Sequence, residues 1–221
     1  MTFSLLARDP ASGAIGGAAA TGSLCVGGWV LRGSLSGGMS ASQGKAPSTF
    51  WGEDVLAAMA EGQAAEKAVE AVTAPDSGAA QRQLTALPYV GPGAVFSGTE
   101  NAPEIGELVF DGGVAAGNML TRAAVVDALG AGFAEATGAF PERLLAGLVA
   151  AEAAGSDSRG LQSAALLVLS PHHAPLTLRV DYAEAPLDAL ASLLKRATSG
   201  DYAAWAAQVP CLADPERTYA G

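Results

Sequence analysis

Residues 2–20 read TFSLLARDPASGAIGGAAA, and they predict a β-hairpin at the start of the chain. The segment from Phe3 to Ala7 is short and apolar, and the segment from Ala14 to Ala20 is small and apolar, as in buried strands. Between them, Asp9-Pro10-Ala11-Ser12-Gly13 is rich in residues that form turns. The chain therefore begins with strand, turn and strand.

Beyond the hairpin, short strands alternate with pairs of helices. Further strands are predicted at Val30–Leu35, Gly93–Phe96, Glu107–Phe110, Val114–Gly117, Ser163–Ser170 and Leu176–Asp181, with a Gly/Ser-rich run over Ser36–Gly44. Helices are predicted between Ser48 and Gly62 and over Ala64–Val72, Arg122–Ala136, Pro141–Ala153, Pro186–Ala197 and Tyr202–Ala207. Because hairpins rather than βαβ crossovers link the strands, this order predicts an α+β fold with antiparallel sheet, in one domain over residues 1–221.

The composition excludes several classes of function. Of 221 residues, 49 are alanine and 28 are glycine, whereas histidine and cysteine occur twice each, so a metal centre or disulfide scaffold would lack ligands. We expect no metal and no cofactor. The net charge of −10 has the wrong sign for binding phosphate backbones, which argues against a nucleic-acid partner. No apolar run approaches the roughly 18 residues of a membrane helix, and no signal peptide is recognisable, so we expect a cytoplasmic protein without a membrane partner.

Two common catalytic motifs are also absent from the sequence. Gly44-Lys45 is followed by Ala46 rather than Ser or Thr, so the phosphate-binding loop pattern fails. No G-x-S-x-G stretch is present for a serine nucleophile. His172 and His173 lie between prolines in a predicted turn, where solvated side chains are more common than a catalytic base.

Thr2 is the remaining candidate nucleophile, because it directly precedes the first strand. The initiator methionine is commonly removed before a small residue, and removal of Met1 would leave Thr2 with a hydroxyl and a free α-amine. An α-amine has an ordinary pKa of about 7.7–8.0, so it can act as the base for its own hydroxyl. This mechanism needs no histidine.

Five segments carry a pattern that runs in order from residue 2 to about Leu194. They are TFSLLARDP (2–10), ASQ (41–43), RQ (82–83), GNML (117–120) and, most specifically, GSDSRGLQSAAL (155–166). Together they resemble an uncharacterised bacterial family, a domain of unknown function grouped with the N-terminal nucleophile (Ntn) hydrolases. The resemblance implies a four-layer αββα sandwich of two antiparallel sheets flanked by helices. It also implies an amidohydrolase that acts on a peptide or acyl-amide bond of a small-molecule or peptide substrate.

The resemblance places Thr2 where the superfamily has its nucleophile. Asp157 falls in the turn that brings an aspartate near the N-terminal threonine in proteasome-type relatives, where it would orient the amine or tune its pKa. Lys45 ranks lower, because the family pattern does not mark it. A basic residue near the nucleophile would lower the pKa of its hydroxyl, as in proteasome-like sites.

Four further residues are candidates for binding substrate. Ser42, Gln43 and Asn118 end apolar runs where a sheet edge meets a cleft, so they are expected to offer substrate or oxyanion hydrogen bonds. Arg159 is a candidate partner for a substrate carboxylate. Each has an alternative role: Arg159 and Asp157 as an ion pair that closes their turn, Ser42 and Gln43 as caps of neighbouring backbone, and Asn118 as a left-handed turn residue.

A second hypothesis is a non-catalytic ligand-binding or assembly protein on the same scaffold. The first fifty residues hold four charged side chains with a net charge of +2, which is few for an enzyme site. Small residues also permit close packing of subunits, so we expect a homodimer under either hypothesis.

Overall fold

The predicted hairpin forms the centre of the larger of two sheets. The structure, a computed structural model, describes residues 2–157 and 159–219. Strand β1 (Thr2–Asp9) pairs antiparallel with β2 (Ala14–Thr21), in a register that joins Thr2 to Thr21. Gly13 takes a φ of 69° in the turn between them, a conformation that glycine adopts without steric cost.

Eight more strands complete two antiparallel sheets in the described part of the chain. They are β3 (Leu31–Ser34), β4 (Gly38–Gly44), β5 (Arg82–Leu87), β6 (Ala94–Ser97), β7 (Gly106–Phe110), β8 (Gly113–Asn118), β9 (Ser163–Ser170) and β10 (His173–Val180). The six-stranded sheet has the order β10-β9-β2-β1-β8-β7, and the four-stranded sheet has the order β3-β4-β5-β6. These antiparallel pairings confirm the predicted α+β class.

Seven α-helices lie within the same described residues. They are α1 (Val26–Trp29), α2 (Thr49–Ala60), α3 (Ala65–Thr73), α4 (Ala124–Glu135), α5 (Phe140–Ala153), α6 (Pro186–Ala197) and α7 (Gly200–Ala206). Ser48 caps the start of α2, because its side chain accepts a hydrogen bond from the backbone N–H of Trp51. Over residues 2–157 and 159–219, no helix is both long and apolar enough to cross a lipid bilayer.

Alternation of side chains along the strands separates three hydrophobic clusters. Leu5 of β1 belongs to a cluster with side chains of α4, α5 and α6, whereas the next residue, Leu6, packs with Met39 of β4 between the sheets. On the far side of the smaller sheet, Leu84 of β5 packs with Val55 of α2 and with α3. The order of helices, large sheet, small sheet and helices is consistent with a sandwich.

The small residues of β2 allow the layers to approach closely. All eight residues of β2 are buried, between β1 and β9 within the sheet and between the two neighbouring clusters across it. A Cβ added to Gly17 would lie 2.8 Å from a methyl carbon of Leu6 and 3.1 Å from one of Leu31. The alanine and glycine excess therefore has a packing role in this strand.

The structure differs from the predicted elements in several places, and β5, for example, is not among the predicted strands. The Gly/Ser-rich run contains β4, an interior strand of the smaller sheet, although glycine and serine have low strand propensity. Helix α1 has four residues, two of them glycine, which is too short for a periodic pattern. Strand β10 begins at His173 rather than Leu176, so the last hairpin has a tighter turn than predicted.

Candidate functional site

Thr2 lies at one end of the space between the two sheets, on the wall of a cavity of about 260 Å³. Its side chain is on the same face of β1 as Leu6, so it points toward the smaller sheet. The Thr2 hydroxyl donates a hydrogen bond to Oγ1 of Thr21 at 3.1 Å. Both threonines are buried and both line the cavity.

Three buried amide side chains join the two sheets next to Thr2. Nε2 of Gln43 donates to Oε1 of Gln83 at 2.7 Å and to the backbone carbonyl of Ala116 at 3.2 Å, and it lies 3.5 Å from the carbonyl of Thr2. Nδ2 of Asn118 donates to the same Gln83 oxygen at 3.0 Å. Asn118 is also the sheet partner of Thr2 on β8. These amides therefore hold the backbone around Thr2 against the smaller sheet.

Asp157 joins the ends of the two strands that flank β1. Its Oδ2 accepts a hydrogen bond of 2.6 Å from the backbone N–H of Gly22, the residue after β2. Asp157 also forms an isolated antiparallel bridge with Leu120, two residues after β8. Since Thr2 pairs with the last residues of β2 and β8, the Asp157 turn lies at the end of the larger sheet where strand β1 begins.

Arg159 forms an ion pair with Asp157, as in the structural alternative considered above. Its Nη2 lies 3.1 Å from Oδ2 of Asp157, and its backbone N–H donates to Oδ1 at 2.8 Å. The guanidinium is about half exposed, whereas the carboxylate is buried. The ion pair closes the turn that contains Asp157. Among the described residues, Arg159 is not one of those that line the cavity beside Thr2.

Lys45 and Ser42 have different positions relative to the cavity. Lys45 lines it, and its Nζ lies 3.8 Å from a carboxylate oxygen of Glu100. Ser42 faces the opposite side of β4, where its hydroxyl donates to the carbonyl of Ser48 at 2.6 Å. Ser42 thus serves as a cap of the neighbouring backbone, because alternation along β4 turns Gln43 inward and Ser42 toward α2. Asn118 is not a left-handed residue; Met119 has the positive φ.

Sequence reasoning missed Thr21, Gln83 and the apolar residues of the cavity wall. Thr21 follows from the hairpin register, since a hairpin that pairs Asp9 with Ala14 also pairs Thr2 with Thr21. Gln83 belongs to the RQ segment (82–83) of the family pattern, but no local signal predicts that it pairs with Gln43 across the neighbouring strands β4 and β5. In the part of the chain that the structure describes, no three His, Cys, Asp or Glu side chains form a group that would hold a metal ion.

A model of the family of unknown function DUF1028 matches residues 2–190. The chain belongs to this family. A DUF1028 protein of known structure is similar over the whole chain: the crystal structure of protein SPO2555 from Silicibacter pomeroyi has 55% sequence identity and a TM-score of 0.96. The similarity covers 100% of this chain and 96% of that chain. No curated protein matches the sequence.

The DUF1028 match begins at Thr2 and includes every described residue of the cavity wall. It also includes Asp157 and the three amide side chains next to Thr2. Helix α7 lies beyond it. The candidate site therefore lies within the part of the chain that the family model matches.

Proposed function

We propose that this chain is an Ntn-type amidohydrolase in which Thr2 is the nucleophile and its own α-amine is the base. One observation carries the proposal: Thr2 is the first residue of a central strand, and its hydroxyl lines a cavity between two sheets. The order of helices, two facing sheets and helices is also the arrangement expected of an Ntn hydrolase. The predicted removal of Met1 concerns a residue outside the described part of the chain.

In the proposed reaction, the Thr2 α-amine takes the hydroxyl proton as Oγ1 attacks the carbonyl carbon of the amide. The tetrahedral intermediate collapses with cleavage of the C–N bond, and the protonated amine donates its proton to the leaving nitrogen. Water then hydrolyses the ester on Thr2, with the same amine as base. The products are a carboxylic acid and an amine, and no histidine is required.

Neighbouring residues would position these groups. Thr21 accepts a hydrogen bond from the Thr2 hydroxyl, which fixes the nucleophile at the cavity wall. Asp157 lies at the end of the larger sheet where the Thr2 amine would form. The backbone N–H groups of Gly22 and Arg159 already donate hydrogen bonds to its carboxylate. We therefore assign Asp157 to positioning rather than to proton transfer. Lys45 contributes a cation to the cavity wall.

The first test is the intact mass of protein purified from its native host. We expect a mass lower by one methionine residue, because the mechanism requires the free amine of Thr2. Retention of Met1 on nearly all molecules would contradict the mechanism.

The second test is acylation of the processed protein by an alkyne-tagged β-lactone. Attack by Thr2 Oγ1 opens the lactone C–O bond and leaves an ester, which intact mass and peptide mapping detect. We expect Thr2→Ala to abolish labelling and Thr2→Ser to retain it. The control is Thr177→Ala, since Thr177 is an exposed strand threonine of β10. Equal labelling of the wild type and the Thr2→Ala protein would refute the nucleophile.

The non-catalytic hypothesis predicts a different result for the same cavity. A ligand-binding protein on this scaffold would bind amides without turnover and without labelling at Thr2. Turnover of any bound amide would exclude it. The homodimer remains a prediction, and sedimentation that gave a single 21.9 kDa species would exclude that assembly.

A further inference from the structure

The cavity beside Thr2 has two chemically different walls. One wall is polar and includes the hydroxyls of Thr2 and Thr21 and the Gln43 side chain. The other is apolar and consists of Leu24, Val26, Trp29, Val30 and Pro47. A ligand that fills this cavity must therefore place a polar group near Thr2 and an apolar group against residues 24–30.

Two large apolar side chains that line this cavity are exposed to solvent. Trp29 is 54% exposed and Leu24 is 53% exposed. Val26 and Val30, beside them, are buried in the cluster between the sheets. An apolar group that entered the cavity would cover Trp29 and Leu24 and remove their apolar surface from water, which favours binding.

The apolar wall is fixed in place by hydrogen bonds to its backbone. The hydroxyl of Ser163 donates to the carbonyl of Ser23 at 2.7 Å and accepts from the N–H of Val26 at 3.1 Å. The N–H of Cys25 donates to the carbonyl of Asp181 at 3.0 Å. The wall is thus formed before a ligand arrives, so little binding energy is lost in ordering it.

Charge and size restrict the ligand further. Among the described residues that line the cavity, Lys45 is the single ionisable side chain, and Glu100 is near its ammonium group. A cationic ligand would meet the Lys45 ammonium group, and an anionic ligand would have to compete with Glu100 for it, whereas an uncharged group needs no charged partner. The volume of about 260 Å³ is below the roughly 300–1,000 Å³ of pockets that hold a drug-sized ligand, so the part of a ligand that enters the cavity is about the size of one side chain with its amide.

We infer that this cavity binds an uncharged amide that carries an apolar group, and that Trp29 is its specificity-determining residue. The inference rests on the proposed function only in taking this amide as the substrate. Binding itself does not require Thr2 chemistry, so the two are tested separately.

The test is calorimetric titration of the Thr2→Ala protein, which binds without turnover. The ligands are N-acetyl-L-leucinamide, N-acetylglycinamide and N-acetyl-L-argininamide. We expect the leucine derivative to bind at least about tenfold more tightly than the other two, because only it adds an uncharged apolar group. Trp29→Ala in the same background should weaken binding of the leucine derivative about tenfold. Trp205→Ala, which removes an exposed tryptophan of α7 outside the cavity wall, should leave it unchanged.

Three results would overturn the inference: no binding of the leucine derivative, equal binding of the leucine and glycine derivatives, or equal losses from Trp29→Ala and Trp205→Ala. The outcome is independent of the lactone experiment. Binding with the expected preference but without labelling of Thr2 would remove the hydrolase and keep the binding site. Labelling of Thr2 without preferential binding of the leucine derivative would keep the hydrolase and remove the proposed binding site.

Discussion

Replacement of Asp157 by alanine is predicted to destabilise the fold by about 3–5 kcal/mol. Asp157 is 3% exposed, and its carboxylate accepts hydrogen bonds from the backbone N–H groups of Gly22 at 2.6 Å and Arg159 at 2.8 Å. A hydrogen bond to a charged group contributes about 1.5–3 kcal/mol, and a buried donor left without an acceptor adds its desolvation cost. The guanidinium of Arg159 is about half exposed, so its return to water adds little.

The assay is equilibrium unfolding in urea, with the change in the midpoint converted to free energy. Asp181→Ala is the matched control, because Asp181 also pairs with an arginine two residues away, at 2.9 Å from Nη2 of Arg179. Both of those side chains are well exposed, so we expect a loss below about 1 kcal/mol. Asp157→Asn keeps an acceptor for Gly22 and should fall between the two. Equal losses of unfolding free energy from Asp157→Ala and Asp181→Ala would refute the idea that the buried carboxylate stabilises this end of the larger sheet.

Two further predictions concern other polar contacts. The hydrogen bond from Arg82 holds the pKa of Asp76 in the folded protein below its ordinary value. The ionised Asp76 therefore stabilises the fold at a pH above that ordinary pKa, and this stabilisation is lost as the pH falls through the lowered pKa. The difference in urea stability between wild type and Asp76→Asn should therefore shrink between pH 7 and pH 3; a constant difference would contradict it. Ser163→Ala removes the contacts to Ser23 and Val26, so we expect a loss of about 1–3 kcal/mol in urea and weaker calorimetric binding of N-acetyl-L-leucinamide. Unchanged binding would mean that Ser163 does not support the apolar wall.

Local sequence signals predicted most elements of this fold. The turn formers at 9–13 predicted the first hairpin, and the strands predicted at 107–110 and 114–117 form another hairpin of the structure. Helix α6 begins and ends at the predicted residues, Pro186 and Ala197, because its proline start and its apolar spacing agree. Strand β4 was not predictable in this way. Its alanine, serine and glycine residues form a strand because two neighbouring strands and two packed layers enclose them.

The candidate site was predictable only in part, for the same physical reason. Thr2 and Asp157 are marked by chain position and by the family pattern, and both lie at the same end of the larger sheet. Gln43 was expected to face a substrate, but its Nε2 donates to Gln83 and to backbone carbonyls in the other sheet. Ser42 shows the limit most clearly, because a single residue of register decides whether a strand side chain faces the cavity or the helices.

The contacts of Asp157 also connect the two proposals, since Gly22 begins the segment that leads to the apolar wall. Loss of the carboxylate would disturb both the place where the Thr2 amine forms and the position of Leu24 and Trp29. Ser163 is the β9 partner of Thr21, but the alanine substitution keeps that backbone pairing and removes only the hydroxyl contacts to Ser23 and Val26 of the same segment. If Asp157 affects lactone labelling by positioning the apolar wall, Ser163→Ala should slow labelling as well. If Asp157 acts on the Thr2 amine, Ser163→Ala should leave labelling unchanged. Comparing lactone labelling of the Asp157→Asn and Ser163→Ala proteins separates the two: slower labelling in Asp157→Asn alone assigns Asp157 to the amine.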